Sequence, residues 1–378
     1  MTSYARDRAR DRIASLSAHG LDLATFWREA SEIIQPLVPH YGGACWYTLD
    51  PASLLITSHF NEQMPELPPD MLAQEYYADD VNKLADVVRS PSGVSTLHEA
   101  TGGDPSSSPR WHANMELGGD QELILGLRAH SGAAWGAAGL YRAPGEPLFD
   151  DDEIAFLRAI APALGEGARR GLLLGEATDP DTPEAPGLIV LSASWEVESV
   201  TPGVERWIAD LPGSDWDTGR LPSSVLAVAG QALRSAEGRN DPGEVALARV
   251  LTESGVWVVL HGVTLMSGGA KRIAVIVEPA HPARIAPLLM SAYELTEREQ
   301  DVTRLVLQGE STAVIADRLV VSRHTVQQHL KSIFEKTGVR SRRDLVGKVF
   351  FNHYEPRVRD NEARVPQSKP LRGGPMPR

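Results

Sequence analysis

Residues 295–350 constrain this chain most, because helix start and stop signals recur there at close spacing. Thr296 is followed three residues later by Glu299, the pattern of a capping box. Leu295, Val302, Leu305 and Val306 give the helix it opens one apolar stripe, and Gly309 stands where a C′ glycine would end it. Ser311 is placed to cap a second short helix with Ile315 and Leu319 facing inward. After a tight Val320-Val321 connection, Ser322 caps a third helix that runs to about Thr337 and stops at Gly338. Ser341 with Asp344 repeats the capping-box pattern ahead of Leu345, Val346, Val349 and Phe350. These signals predict three or four short helices in immediate succession.

On a wheel of 3.6 residues per turn, the third helix has two unlike sides. Val326, Leu330, Ile333 and Phe334 gather on one; His324, Gln327, Gln328, Lys331 and Glu335 occupy the other. An apolar back and a polar front are what a helix needs to pack on two neighbours while reaching base edges in a major groove. Gln bonds adenine through two atoms, and Lys reaches guanine or a phosphate. Arg323 and Thr325, in the first turn, are candidates for the DNA surface, Arg323 at a phosphate. Glu335 is expected past the groove. His329, on the flank of the apolar stripe, fits packing or a phosphate contact better than catalysis. The plainer reading, a small helical bundle with a solvated face, has to account for caps, periodicity and charge coinciding.

Charge points the same way. From Arg318 to Lys348 eight Lys or Arg face two acids, while the whole chain carries −13. Lys336, Arg340, Arg342 and Arg343 belong to this basic set and are further candidates for the nucleic-acid surface. Residues 292–350 hold ten basic and eight acidic residues, and the tail 351–378 adds +3. Residues 1–291 therefore carry −18, which excludes binding of nucleic acid or an anionic membrane by charge there.

Residues 295–350 resemble the C-terminal DNA-binding domain of the LuxR/FixJ family of bacterial regulators. The blocks Leu295-Thr-Glu-Arg-Glu, Ile315-Ala, Ser322-Arg-His-Thr-Val-Gln-Gln-His and Gly338-Val-Arg-Ser-Arg-Arg stand in that family's order and spacing. The resemblance implies a four-helix domain whose third helix reads the groove and whose fourth helps dimerisation. It places Gln327, Gln328 and Lys331 at base- and phosphate-contacting positions. Many members carry Lys where this chain has Gln327, a departure that bears on the target sequence rather than on the fold. Double-stranded DNA, with a palindromic operator, a second copy of the chain and RNA polymerase are the implied partners. The alternative is a module that docks on RNA polymerase in the manner of sigma region four without reading sequence.

The preceding 290 or so residues parse into two mixed segments. In residues 20–174, helical periodicity through Trp27–Val38 is followed by two strand pairs, Ala44–Leu49 with Leu54–His59 and Glu122–His130 with Ala134–Tyr141. Asp150-Asp-Asp-Glu153 opens a further helix, where acids complement the macrodipole. This order resembles a GAF-type sensory domain, which implies a central antiparallel sheet with a small-molecule pocket. Trp46, Tyr47, His59, Trp111, His112 and Leu125 are its candidate lining residues. The loop 101–110 reads as a flexible surface segment. Residues 175–186, with three prolines and four acids, form a linker. In residues 187–285, two strands, helices and three strands resemble a PAS domain, with Thr201 as cap and Pro202 at the first position of a helix. A connector helix over 286–294 is expected to run into Leu295.

The chain is thus read as multidomain α+β: GAF-like and PAS-like antiparallel-sheet sensory domains, then an all-α four-helix domain of LuxR type containing a helix-turn-helix. Residues 1–19 form a charged helix or arm, and residues 351–378, without apolar period, a disordered tail. Cys45 is the single cysteine, so neither an intramolecular disulfide nor a cysteine-based metal site can form. No signal peptide or membrane span is legible, and a cytoplasmic location is expected. No phosphate loop, nucleophile elbow or His-Glu-x-x-His zinc motif occurs, so no cofactor, no metal and no enzymatic activity are expected.

Overall fold

The computed structural model describes residues 3–62, 68–173, 186–216, 218–241, 244–267, 270–280 and 282–346. The 175–185 portion of the predicted linker, the tail and the predicted apolar residues Val349 and Phe350 lie outside these. The chain divides into two compact units, one holding both sheets and the other the C-terminal helices.

The first unit begins with α1 (Ser3–Ala18) and α2 (Leu23–Ile34), the latter capped by Asp22, whose carboxylate accepts from the Thr25 N–H. Strands β1 (Tyr41–Leu49) and β2 (Ile56–Phe60) form the first expected hairpin, with Trp46 opposite Phe60. Helices α3 (Pro69–Tyr77) and α4 (Leu84–Arg89), strand β3 (Val94–Thr96) and α5 (Leu97–Ala100) follow. The 101–110 segment, expected as a flexible surface loop, instead carries a 3-10 turn at Pro105–Ser107. It then enters α6 (Pro109–Glu116), capped by Ser108. Strands β4 (Gln121–Arg128) and β5 (Ala134–Arg142) form the second expected hairpin, and α7 (Asp151–Leu173) closes the set. The sheet order is β2-β1-β5-β4-β3, each neighbouring pair antiparallel. The acids that open α7 act as a cap. Asp150 accepts from the Glu153 N–H at 2.7 Å, and Glu153 returns the bond to the Asp150 N–H at 2.9 Å.

The second sheet runs β7-β6-β10-β9-β8. It uses β6 (Gly187–Leu191), β7 (Val197–Val200), β8 (Leu247–Leu251), β9 (Trp257–Ser267) and β10 (Ala270–Pro279), with α8 (Val204–Ala209) and α9 (Ser223–Ala236) inserted after β7. Thr201 does not cap α8. The cap is Gly203, at φ +86, and the Thr201 hydroxyl accepts from the Leu188 N–H instead.

The two sheets, assigned from sequence to separate domains, belong to one compact unit. Helix α9 lies so close to α3 that a Cβ at Gly230 would meet the Ala73 carbonyl oxygen at 2.3 Å, so only glycine fits there. Asp50, at the end of β1, is fully buried and bonds Arg249 of β8 through both carboxylate oxygens.

The second unit is helical: α10 (Pro282–Ala292), α11 (Glu297–Leu307), α12 (Thr312–Leu319), α13 (Arg323–Thr337) and α14 (Arg342–Val346). The expected 286–294 connector differs in two respects. Helix α10 starts earlier, and it stops at Ala292, where Glu294 turns the backbone with φ +54. Its Met290 is buried in the helical core, so α10 is built into this unit instead of running straight into α11. Among the described residues no helix is long and apolar enough to cross a membrane.

Candidate functional site

The helical unit is fixed at its termini before it is fixed by its core. Thr296 and Glu299 form a reciprocal capping box at α11, with the Glu299 carboxylate 2.8 Å from the Thr296 nitrogen. Ser311 caps α12 through the Val314 N–H, and Ser322 caps α13 through the Thr325 N–H. Gly338 ends α13 at φ +67, and its N–H bonds the Phe334 carbonyl. Inside, Val326, Leu330 and Ile333 of α13 pack with Val302, Val306, Ile315 and Leu345. That core sets the rotation of α13 about its axis, and so decides what faces outward.

Arg323, His324, Gln327, Gln328 and Lys331 are all exposed along one side of α13. Thr325 is half-buried, its hydroxyl 2.8 Å from that of Ser322, and so contributes to the cap. Lys331 lies 3.9 Å from Glu335, a loose pair between two largely exposed side chains that contributes little. His329 is half-buried on the flank. Arg340 and Arg343 are exposed, whereas Arg342 is half-buried and donates to the Glu310 carbonyl.

Lys336 stands apart from this front. Its Nζ lies 2.7 Å from Glu299 Oε2 and 2.9 Å from the Glu294 carbonyl oxygen. Glu299 also accepts from the Ser332 hydroxyl at 2.6 Å. Burial alone would raise the Glu299 pKa, but Lys336, Ser332 and the Thr296 N–H together outweigh it and bring the carboxyl down to about 2. Lys336 therefore has an internal partner, and its charge is partly committed within the fold. This role left no mark on the helical wheel, because it joins the first turn of α11 to the last of α13.

Residues 293–349 match the model of the bacterial regulatory proteins of the luxR family. The spore germination protein GerE of Bacillus subtilis is 38% identical over 52 residues, 14% of this chain and 70% of GerE. Through this C-terminal domain, the chain belongs to the luxR family. A provisionally named HTH-type transcriptional regulator of Mycobacterium bovis is 52% identical over 55 residues, 15% of this chain. The match spans only 6% of that relative's length, so the likeness is confined to the luxR-type domain. A solved bacteriophytochrome from R. palustris aligns over 74% of this chain and 63% of its own, at 12% identity and a TM-score of 0.29, too low to assign a fold.

Upstream of the luxR-type domain, the six candidate pocket residues do not converge. Trp46 is buried, stacks on Trp27 with centroids 4.6 Å apart, and donates to the Ser31 hydroxyl. Leu125 is buried opposite Ala138 and Val94 in the sheet. Trp111 donates to Asp120, His112 lies 2.9 Å from the Ser106 carbonyl oxygen, and His59 lies beside Gly213. Tyr47 alone of the six lines a cavity of about 250 Å³, together with Glu75, Arg110 and Glu122. These three come from α3, α6 and β4, and no local pattern in the sequence connects them.

Proposed function

We propose that this protein is a sequence-specific DNA-binding regulator of transcription, in which α13 reads the major groove. One observation carries the reading: α13 is locked by its apolar side into a luxR-type core while Arg323, His324, Gln327, Gln328 and Lys331 are left exposed together. Gln327 and Gln328 supply adjacent amide groups suited to adenine, and Arg323 at the helix start supplies charge for a phosphate. Exposed Arg340 and Arg343 extend the basic surface, and the luxR-family match supports DNA as the partner.

In this reading the first unit is the sensory part, GAF-like followed by PAS-like, and it controls how two copies occupy a palindromic operator near RNA polymerase. Two five-stranded sheets and an acidic balance suit that role better than contact with DNA. The protein acts by binding, with no catalytic step.

The test is a mobility-shift series over a range of salt with selected and random duplexes. Gln328→Ala should relax sequence preference at a cost of about 1–3 kcal/mol, and Arg323→Ala should weaken all duplexes about equally. Wild-type affinity in both variants would overturn the assignment of α13.

A further inference from the structure

The cavity of about 250 Å³ on the first sheet is walled by β1, β4, β5, α3 and α6. Two of its lining tyrosines, Tyr47 on β1 and Tyr141 on β5, are each 5% exposed. They approach one cross-strand pair from opposite ends. Cys45 stands opposite Gly139, with Tyr47 two residues beyond Cys45 and Tyr141 two residues beyond Gly139. The Tyr141 ring folds back along its strand: its hydroxyl lies 3.0 Å from where a Gly139 Cβ would stand, so the glycine makes its seat. The Tyr47 hydroxyl lies against the Cys45 sulfur, a weak acceptor. The two hydroxyls thus converge over the Cys45–Gly139 pair.

Neither hydroxyl bonds a nitrogen or oxygen among the described residues, yet neither is sealed in the way the partnerless Glu122 Oε1 is. Buried phenols usually find a partner, so two left reachable and unbonded mark where a ligand's polar group would sit. Burial pushes both phenols well above their ordinary pKa, so each keeps its proton and can donate. Two donors aimed at one place suit an oxygen with two lone pairs.

The rest of the lining selects the ligand's charge and size. Five acids and two bases line the cavity, a balance that opposes an anion. Both bases are engaged: Arg110 reaches Glu75 Oε2 at 2.5 Å and Glu122 Oε2 at 2.6 Å, and Lys83 donates to the Ala78 carbonyl. Glu122, across the strands from Tyr141, gives Oε2 to Arg110 and Asn82 and keeps Oε1 sealed, so it offers nothing there to prefer a cation. Ile56, Met71, Leu84 and Leu117 supply an apolar wall. An apolar cavity of roughly 150 Å³ takes benzene, so this one has room for a single ring with a short polar substituent.

We propose that this cavity binds a small neutral carbonyl compound, whose oxygen accepts from both the Tyr47 and Tyr141 hydroxyls while its hydrocarbon body lies against the apolar wall. The site stands on the cavity and its two phenols, independently of how α13 meets DNA.

A melting series on the full chain tests it, with acetophenone as probe and ethylbenzene, benzoate and 1-phenylethylamine as shape-matched uncharged, anionic and cationic controls. Acetophenone is expected to raise Tm saturably and by more than any control. Tyr141→Phe keeps the ring and removes one donor. It should weaken acetophenone by about three- to tenfold, the loss expected for one neutral hydrogen bond, while the ethylbenzene shift and the Tm of the free protein stay unchanged. Tyr47→Phe should weaken acetophenone similarly and serves where Tyr141→Phe does not fold. No acetophenone shift, a shift matched by ethylbenzene, or a larger one with benzoate or 1-phenylethylamine overturns the site. Wild-type affinity for acetophenone in Tyr141→Phe overturns it as well.

Discussion

The Lys336 ammonium lies 2.7 Å from the Glu299 carboxylate, tying the start of α11 to the end of α13 across 37 residues of sequence. The carboxylate is 5% exposed as a side chain and the ammonium 32%. Removing the cation strands a buried charge, which costs more than the pair itself is worth. Lys336→Met should therefore lower unfolding stability by about 2–3 kcal/mol in urea titration, the low end for a buried pair because Lys336 keeps some solvent. In DNA binding it should leave the salt slope unchanged, whereas Arg323→Ala should reduce that slope by about one. A matching slope loss in Lys336→Met would mean that this lysine also contacts phosphate.

The same carboxylate sets a pH dependence. Its pKa is about 2 in the fold against an ordinary 4.5. A depressed carboxyl contributes stability that is fully present above its unfolded pKa and is lost as pH falls through the folded one. The window is therefore about pH 4.5 to 2, with an upper limit of about 3 kcal/mol. Urea midpoints measured across that window should fall more steeply in wild type than in Glu299→Gln. Parallel curves would show that Glu299 is not the group lost.

What could be read from the sequence follows the range of the forces involved. The caps at Thr296, Ser311 and Ser322 and the stop at Gly338 each depend on about four neighbouring residues, and all four stand in the structure as the pattern implied. The hairpins around Asp50-Pro51 and Ser131-Gly132 were legible for the same reason. The Glu75–Arg110–Glu122 cluster was not, because its members lie 35 and 12 residues apart and meet only when α3, α6 and β4 pack. Trp46 and Leu125, named as candidate pocket-lining residues from the resemblance to a GAF-type domain, are buried in the core.

Val320 is a β-branched residue at φ +55, 89% exposed, in the turn between α12 and α13. The left-handed region is costly for such a side chain, and exposure means that almost no packing offsets it. Val320→Gly should stabilise the protein by about 1 kcal/mol, the relief of strain exceeding glycine's greater freedom in the unfolded chain. A thermal melt with raised Tm and unchanged operator affinity is the expected result. Raised stability with weakened DNA binding would instead mean that the valine methyls take part in the interface.

Asp50 and Arg249 provide the most direct test of whether the two sheets behave as one body. Asp50 has no exposed side-chain surface and Arg249 has 10%. Their two-oxygen pairing is reinforced by the Arg249 N–H at 2.9 Å from Asp50 Oδ2. Truncating either member leaves the other charged, buried and unpaired, so Asp50→Ala or Arg249→Met should each cost about 3–5 kcal/mol. The double variant should cost less than the sum, because the second substitution removes the stranded charge; a coupling of about 2 kcal/mol or more is expected. Calorimetry adds a second readout. Wild type should lose both sheets in one transition, whereas Arg249→Met weakens the link between β1 and β8 and should separate that transition into two. Two transitions already present in wild type would show that the sheets fold independently.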